Sequence, residues 1–395
     1  MDDEQGPLPG DEVVTGLPPA PDRTGYRALL AGTAVAGLAV VLLLLSSPDL
    51  NTEFMLLGAG ALQVAPFVLI AMVAYLAEDS RPLRYVTGLL LLGLIGILVL
   101  LSCALGLMAA LPPGALESAE LPAGMEGTVL ALFGLGAVCG LVSLAGFLSP
   151  VRRILSRVVP LKPNSFVHAV ALVLVLAMVL VPPVPLVVNG TPPFLSEALL
   201  GGDEPAESPG DFARSEAYSL LFIIYGSFLI VGLFVRRTFT EALERLAFVR
   251  PTGRQVVFAV IAALVLVVVF GLVDRAIAAA WGVMGWAVTD DEAYRRLFSD
   301  VLTPVGAVTA AVSAGIGEEL AVRGVLQPVF GVVLPSLLFA ALHAWQYSWD
   351  ALLSVFLAGL VFAWIRKRAN TTTCAITHGL YDLVLFGALT AGVTI

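Results

Sequence analysis

Residues 256–281 read VVFAVIAALVLVVVFGLVDRAIAAAW, and this stretch decides the fold. Its first eighteen residues carry no charge, and a helix needs roughly 20 apolar residues to cross a hydrocarbon core of about 30 Å. Six long apolar runs precede it, at residues 26–46, 54–77, 83–111, 125–148, 166–188 and 217–235. Four weaker runs follow it, at residues 304–330, 332–347, 351–365 and 372–395. The sequence therefore predicts an all-α, polytopic transmembrane helical bundle of about eleven spans.

The composition excludes an ordinary water-soluble domain. Of the 395 residues, 58% are hydrophobic and only 13% are charged, whereas a soluble domain is about 25% charged. The lipid bilayer is therefore the expected surroundings of most of the chain. The sequence contains no cluster of basic residues of the kind that binds nucleic acid, so we predict no nucleic-acid partner.

The basic residues predict the orientation, because Lys and Arg near span ends are retained on the cytoplasmic side. Sixteen of the 21 Lys and Arg residues lie before the first span or in alternate loops, and three lie in the other loops. The remaining two, Arg275 and Arg323, fall within spans. This pattern predicts a multi-pass protein of the cell membrane, plasma or inner, with its N-terminus in the cytosol.

Four parts can be distinguished along the chain. Residues 1–25 form an acidic tail that is predicted to be disordered and cytosolic. Residues 26–235 form an N-terminal region whose six spans are almost free of ionisable groups. Residues 256–395 form a C-terminal membrane domain whose spans contain nearly all of them. Residues 236–255 separate them as a basic, amphipathic segment. Its apolar side chains recur at helical spacing, which predicts a helix over 236–250 on the cytoplasmic membrane surface.

Ionisable residues of the last spans form three short motifs. An ionisable residue within a span costs about 2.5 to 3.5 kcal/mol, so it marks a functional site or a paired structural contact. With a rise of about 1.5 Å per residue, these side chains lie roughly 10 to 18 Å from the predicted cytoplasmic ends of their helices. They share one level in the membrane, which predicts a single site. The motifs are Gly317-Glu318-Glu319-Leu320-Ala321-Val322-Arg323, Phe339-Ala340-Ala341-Leu342-His343 and His378-Gly379-Leu380-Tyr381-Asp382.

The residue types in these motifs suit hydrolysis. Glu318 is the candidate general base for a water molecule, and His343 is the candidate to share its proton. His378, with Asp382 four residues later on the same helical face, is the candidate to stabilise an oxyanion. Glu319 and Arg323 have the same i,i+4 spacing, and an ion pair between them would hold Glu319 in place.

The three motifs together resemble those of the CAAX protease and bacteriocin-processing family (CPBP, or Abi), which includes the CAAX prenyl endopeptidases. The resemblance covers residues 246–395 and leaves the first six spans outside it. It implies a glutamic intramembrane endopeptidase that needs no metal or cofactor and acts on a membrane-associated protein or peptide. The family patterns EExxxR, FxxxH and HxxxN/D are matched by Glu318, Glu319 and Arg323, by Phe339 and His343, and by His378 and Asp382. Glu319, Arg323 and Phe339 then support the catalytic Glu318, His343, His378 and Asp382.

Asp382 departs from the better-studied endopeptidases, which have Asn at this place in the motif. An ionised Asp accepts hydrogen bonds but donates none, so it cannot bind an oxyanion directly. Under one hypothesis Asp382 orients His378 from one helical turn away. Under the other it stays protonated and donates to the oxyanion. We favour the orienting role.

Other functions remain compatible with the same residues. A buried set of Glu, Arg and His also suits an ion-coupled transporter, although we detect no internal repeat to support one. A catalytically silent scaffold or immunity protein could retain the fold, with Glu319 and Arg323 as a purely structural pair. Zinc held by His343, His378 and Glu318 is chemically conceivable. HExxH, GxGD and GxSG, the motifs of other intramembrane proteases, do not occur.

Several polar and aromatic residues have simpler interpretations. His168, near the start of a span, is predicted to be a packing or interfacial residue. Trp345, Tyr347 and Trp349 are typical of an aromatic belt at the outer membrane boundary. The three cysteines, including Cys374, are predicted to be small packing residues because none has metal-ligand spacing.

Overall fold

The structure is a computed structural model that describes residues 23–47, 49–112, 122, 124–200 and 209–391. The predicted N-terminal tail therefore lies almost entirely outside the described residues. The elements are α1 Arg23–Ser46, α2 Leu50–Leu76, α3 Arg81–Ala110, α4 Glu126–Ser143, a 3₁₀ turn Leu144–Phe147, α5 Ser149–Leu155, α6 Phe166–Leu180, α7 Val184–Asn189, a 3₁₀ turn Pro193–Leu195, α8 Glu197–Leu200, α9 Pro209–Ile230, α10 Phe239–Leu246, α11 Gly253–Met284, α12 Asp291–Leu297, α13 Pro304–Ser313, a π-helix Ala314–Leu326, α14 Gln327–Phe330, α15 Val333–Leu342, α16 Trp349–Arg368 and α17 Thr371–Thr390. The predicted all-α class is confirmed, since the described residues contain no strand.

Nine helical segments of the described residues are long and apolar enough to cross a membrane. The two remaining predicted spans correspond to α9 and α15. Helix α9 is too polar to count, because its first turns contain Asp211, Arg214 and Glu216. Helix α15 has 10 residues and at about 1.5 Å per residue reaches only part of the way across a bilayer.

Helix α10, the predicted surface helix, is shorter than the sequence pattern indicated. It begins after Thr238, whose hydroxyl and backbone form a capping box with Glu241, and it ends at Leu246. Ala247 then has a left-handed backbone with φ of 51°. A second capping box, between Thr252 and Gln255, begins α11. The apolar period continued past Leu246, but these local hydrogen bonds divide the segment into a short helix and a turn.

The helices of residues 26–235 pack directly on the helices that carry the motifs. Helix α9 packs along α2, and its other side contacts α13 and the π-helix, while α6 contacts α15. A buried polar cluster joins α2 to α9: the Tyr218 hydroxyl donates to Glu53 Oε2 at 2.6 Å, and Arg214 Nε lies 3.0 Å from Glu53 Oε1. The division of the chain at residues 236–255 stays a prediction.

The π-helix and α17 approach each other closely through two glycines. A Cβ atom added to Gly315 would lie 2.7 Å from both the backbone nitrogen and the Cα of Gly379, which is closer than real Cβ contacts allow. Glycine at position 315 therefore lets the two backbones meet. This approach brings the motif of the π-helix beside the motif of α17.

Candidate active site

The first motif lies within the π-helix. This wide helix is rare and is frequently found at functional sites. Glu319 and Arg323 are completely buried, whereas the Glu318 side chain keeps 35% of its surface exposed. The two adjacent glutamates therefore have opposite environments.

Glu319 is the centre of a buried polar network. Its Oε1 lies 3.0 Å from Arg323 Nη1 and 2.9 Å from His378 Nδ1. Its Oε2 accepts a hydrogen bond from the Cys374 thiol, with 2.9 Å between oxygen and sulfur. A buried carboxylate is stable only where charge and hydrogen bonds compensate it, and here three side chains do so. Glu319 thus joins the first motif to the third.

Arg323 lies between two aromatic rings. Its guanidinium carbon is 4.5 Å from the centroid of Phe339 and 5.7 Å from that of Phe362. Its Nη2 donates to the carbonyl of Gly359 at 3.3 Å. The rings attract the cation through their quadrupoles and exclude water from it. Phe339 therefore fixes the guanidinium that neutralises Glu319.

His378 is held on both of its ring nitrogens. Since the Glu319 carboxylate accepts, Nδ1 carries a hydrogen and donates to it. On the other edge, Nε2 lies 3.3 Å from Asp382 Oδ2 and 4.0 Å from Glu318 Oε2. The imidazole also stacks on Phe362 at 4.4 Å between ring centroids. The structure thus brings Glu318, Glu319, His378 and Asp382 together.

His343 caps the C-terminal end of α15. Its Nδ1 lies 2.7 Å from the carbonyl oxygen of Phe339, one turn earlier. A carbonyl only accepts, so Nδ1 donates, and in the neutral imidazole Nε2 keeps a lone pair with which it can accept a hydrogen bond. The Phe339 ring packs edge to face on both imidazoles, with centroid distances of 4.9 Å to His343 and 6.1 Å to His378. Phe339 therefore lies against the second and third motifs as well as Arg323.

Sequence reasoning missed four contributors to the site. Phe362 and Gly359 lie on α16, which carries none of the three motifs, so only the packed structure reveals them. Cys374 precedes His378 by four residues, and this one-turn spacing was the available signal that its thiol faces the same neighbours. Tyr347, which the sequence places in an aromatic belt, also lies against the second motif: its ring is parallel to that of His343, with an interplanar angle of 2° and a centroid distance of 5.5 Å.

In the part of the chain that the structure describes, no three side chains of His, Cys, Asp or Glu are grouped as they would be to hold a metal ion. The contacts of the site instead join carboxylates to an imidazole, a guanidinium and a thiol.

The fold and the site define a polytopic helical membrane protein with a cluster of carboxylates and imidazoles inside its helical bundle. Residues 300–384 match a family model described as type II CAAX prenyl endopeptidase Rce1-like. This match supports the CAAX protease and bacteriocin-processing family for residues 300–384, and with it a CAAX-type intramembrane protease. No curated protein and no solved structure matched the chain.

Proposed function

We propose that the protein is a glutamic intramembrane endopeptidase that hydrolyses a peptide bond in a membrane-associated protein or peptide. The observation that carries this proposal is the contrast between the two glutamates. Glu319 is fully buried and engaged by three side chains, whereas Glu318 is partly exposed beside His378. A partly exposed carboxylate next to an imidazole is suited to take a proton from water.

The proposed reaction uses water as the nucleophile. Glu318 accepts one proton of the water molecule, and His343 Nε2 accepts a hydrogen bond from the other O–H of the same water. The water oxygen bonds to the scissile carbonyl carbon. Glu318 then delivers its proton to the leaving amine as the C–N bond breaks. Proton transfer by a positioned group contributes typically 10² to 10⁴-fold in rate.

His378 is the proposed donor to the oxyanion of the tetrahedral intermediate. Because its Nδ1–H already donates a hydrogen bond to Glu319, Nε2 is the nitrogen that can bind the oxyanion, and it does so when it carries a proton. Asp382, at 3.3 Å from Nε2, aims that edge of the ring. A donor directed at a developing oxyanion is worth about 10² to 10³ in rate.

The proposed substrate is held in or at the bilayer. The matched family is described as a CAAX prenyl endopeptidase, so a lipidated peptide that ends in a CAAX sequence is the first substrate to test. Isolation of Glu318→Gln with bound peptide, followed by mass spectrometry, would identify a bacteriocin leader, another lipoprotein or a sorting-signal helix if one of these is the substrate instead.

The decisive experiment compares histidine and glutamate variants of the full chain in lipid nanodiscs. Glu318→Ala, His343→Ala and His378→Ala should each abolish cleavage while membrane insertion and abundance stay near wild type. His168→Ala is the matched control, because His168 lies on α6 and its Nδ1 accepts from the backbone of Lys162. The proposal is wrong if any of the three variants keeps more than about a tenth of wild-type activity, since these roles predict losses of 10²-fold or more.

A further inference from the structure

The turn after α15 returns an aromatic ring onto His343. The backbone nitrogens of Gln346 and Tyr347 both donate to the carbonyl of His343 at 2.9 Å. This tight turn places the Tyr347 ring parallel to the imidazole, with 5.5 Å between centroids. At that spacing the two rings are stacked with an offset, which is a preferred arrangement.

Tyr347 is covered in turn by side chains of α12 and of Phe298, the residue that follows it. The rings of Tyr294 and Phe298 stack on the Tyr347 ring, with centroid distances of 5.8 and 6.0 Å. The centroids of the Tyr294 and Phe298 rings are 4.6 Å apart. The loop before α12 is tied to α16, because Asp350 accepts from the Thr289 backbone and hydroxyl at 2.9 and 2.7 Å. The result is an aromatic stack of His343, Tyr347 and the Tyr294–Phe298 pair.

Residues from the N-terminal half of the chain also contact this turn. The Phe194 nitrogen donates to the carbonyl of Trp345 at 2.9 Å, and the two rings pack edge to face at 6.3 Å. Ala344 is buried in a cluster with Leu186 of α7 and Leu352 of α16. The turn is therefore fixed by elements from both halves of the chain.

His343 needs this support because it lies at a helix end. Within α15 its side chain contacts Phe339 alone, through the hydrogen bond from Nδ1 to the Phe339 carbonyl and through the edge-to-face contact of the two rings. We propose that Tyr347 is a positioning residue that presses His343 against Phe339 and aims Nε2 at the attacking water. This inference rests on the proposed function, in which His343 contacts that water.

Two variants of Tyr347 test the stacking in cleavage assays. Tyr347→Leu keeps apolar bulk but removes the ring, and we expect kcat to fall by about 10²-fold, as small misplacements of reacting groups do. KM should stay within about twofold, because substrate binding is not removed. Tyr347→Phe retains the ring and should keep at least about half of wild-type kcat. Phe147→Leu is the matched control, since it also removes one ring of a stacked pair: Phe147 stacks on Phe166, with 6.3 Å between ring centroids, among the helices of residues 26–235.

A second readout does not depend on activity. The chain has three histidines, so ¹⁵N-histidine labelling gives three pairs of ring signals that can be assigned by single substitutions. The His343 ring signals should move in Tyr347→Leu and return in Tyr347→Phe, because the neighbouring ring current is lost and regained. Tyr294→Leu, which removes only the outer layer, should move them less and covers the case in which Tyr347→Leu does not fold.

The outcomes separate the two proposals. Cleavage that survives His343→Ala overturns the proposed function. Unmoved His343 signals in both leucine variants overturn the stacking, whatever the activity. A Tyr347→Phe variant as slow as Tyr347→Leu shows that the hydroxyl, and not the ring, matters, and also overturns the inference.

Discussion

Replacement of Glu319 by Gln tests whether the two adjacent glutamates divide support and chemistry between them. The substitution keeps shape and volume but removes one charge from a completely buried side chain. Arg323 then remains buried between two aromatic rings without its counter-charge at 3.0 Å, and the bond from His378 Nδ1 loses its ionic acceptor. Glu318→Gln is the matched control, because the same change falls on the next residue, whose side chain is 35% exposed.

The expected cost follows from the burial. Removal of one partner of a buried ion pair destabilises a protein by about 3 to 5 kcal/mol. The lower end applies here, because the unfolded chain in a micelle also finds polar partners. We expect Glu319→Gln to lower the free energy of unfolding by about 3 kcal/mol and Glu318→Gln to change it by less than about 1 kcal/mol. Glu318→Gln should nevertheless have no detectable cleavage.

The assay is reversible unfolding by SDS in mixed detergent micelles, with cleavage measured on the same preparations. The double variant Glu319→Gln/Arg323→Met should cost less than the two single changes together, because it leaves no buried charge uncompensated. Equal destabilisation by the two Gln variants would refute the division of roles. So would a stable, fully active Glu319→Gln protein.

Three further predictions address the third motif, metal and helix contact. Asp382→Asn should lower kcat by about tenfold or more and alter the pH dependence of the rate, because Asp382 lies 3.3 Å from His378 Nε2; full activity at every pH would contradict the orienting role. Strong chelators should leave cleavage intact, and stoichiometric zinc whose removal and return switch activity off and on would contradict the glutamic mechanism. Gly315→Ala should lower the free energy of unfolding by about 1 to 3 kcal/mol and reduce cleavage, because its Cβ would meet Gly379 at 2.7 Å. Gly58→Ala, where nothing lies within 4 Å, is the control, and equal effects of the two substitutions would refute the close-contact argument.

The fold class could be predicted because the bilayer imposes a simple rule on each span. Seven apolar runs were recognisable by length alone, and the structure contains helices at all seven. The span count was less secure where polar residues interrupt or end an apolar run. Helix α9 is polar in its first turns because Arg214 pairs with buried Glu53, and α15 is short because it ends at His343. Hydropathy averages such residues and does not register their partners.

The candidate site was only partly accessible from the sequence. Spacing within one helix indicated that Glu319 could reach Arg323 and that His378 could reach Asp382. The contact between Glu319 and His378 depends on how closely two helices approach, which two glycines decide and no local pattern reveals. The π-helix was also unpredicted, since its hydrogen-bond pattern has no sequence signature of its own.

The charges of the site imply that His378 and Asp382 act as one titrating unit. Three carboxylates, Glu318, Glu319 and Asp382, lie around His378, and among the described residues Arg323 is the permanent cation that is paired with this group. With three ionised carboxylates, one guanidinium and a neutral imidazole, the group has a net charge of minus two. Such a charge in the interior of a bundle is costly, at about 2.5 to 3.5 kcal/mol for each ionised residue. One additional proton on the His378–Asp382 pair halves that charge, whether it resides on the imidazole or on the carboxyl. The pair then has macroscopic titration steps that belong to neither residue alone. Asp382→Asn removes one titrating member of the pair. The pH-rate profile of this variant should therefore lose one of the two steps, and not merely show it at another pH.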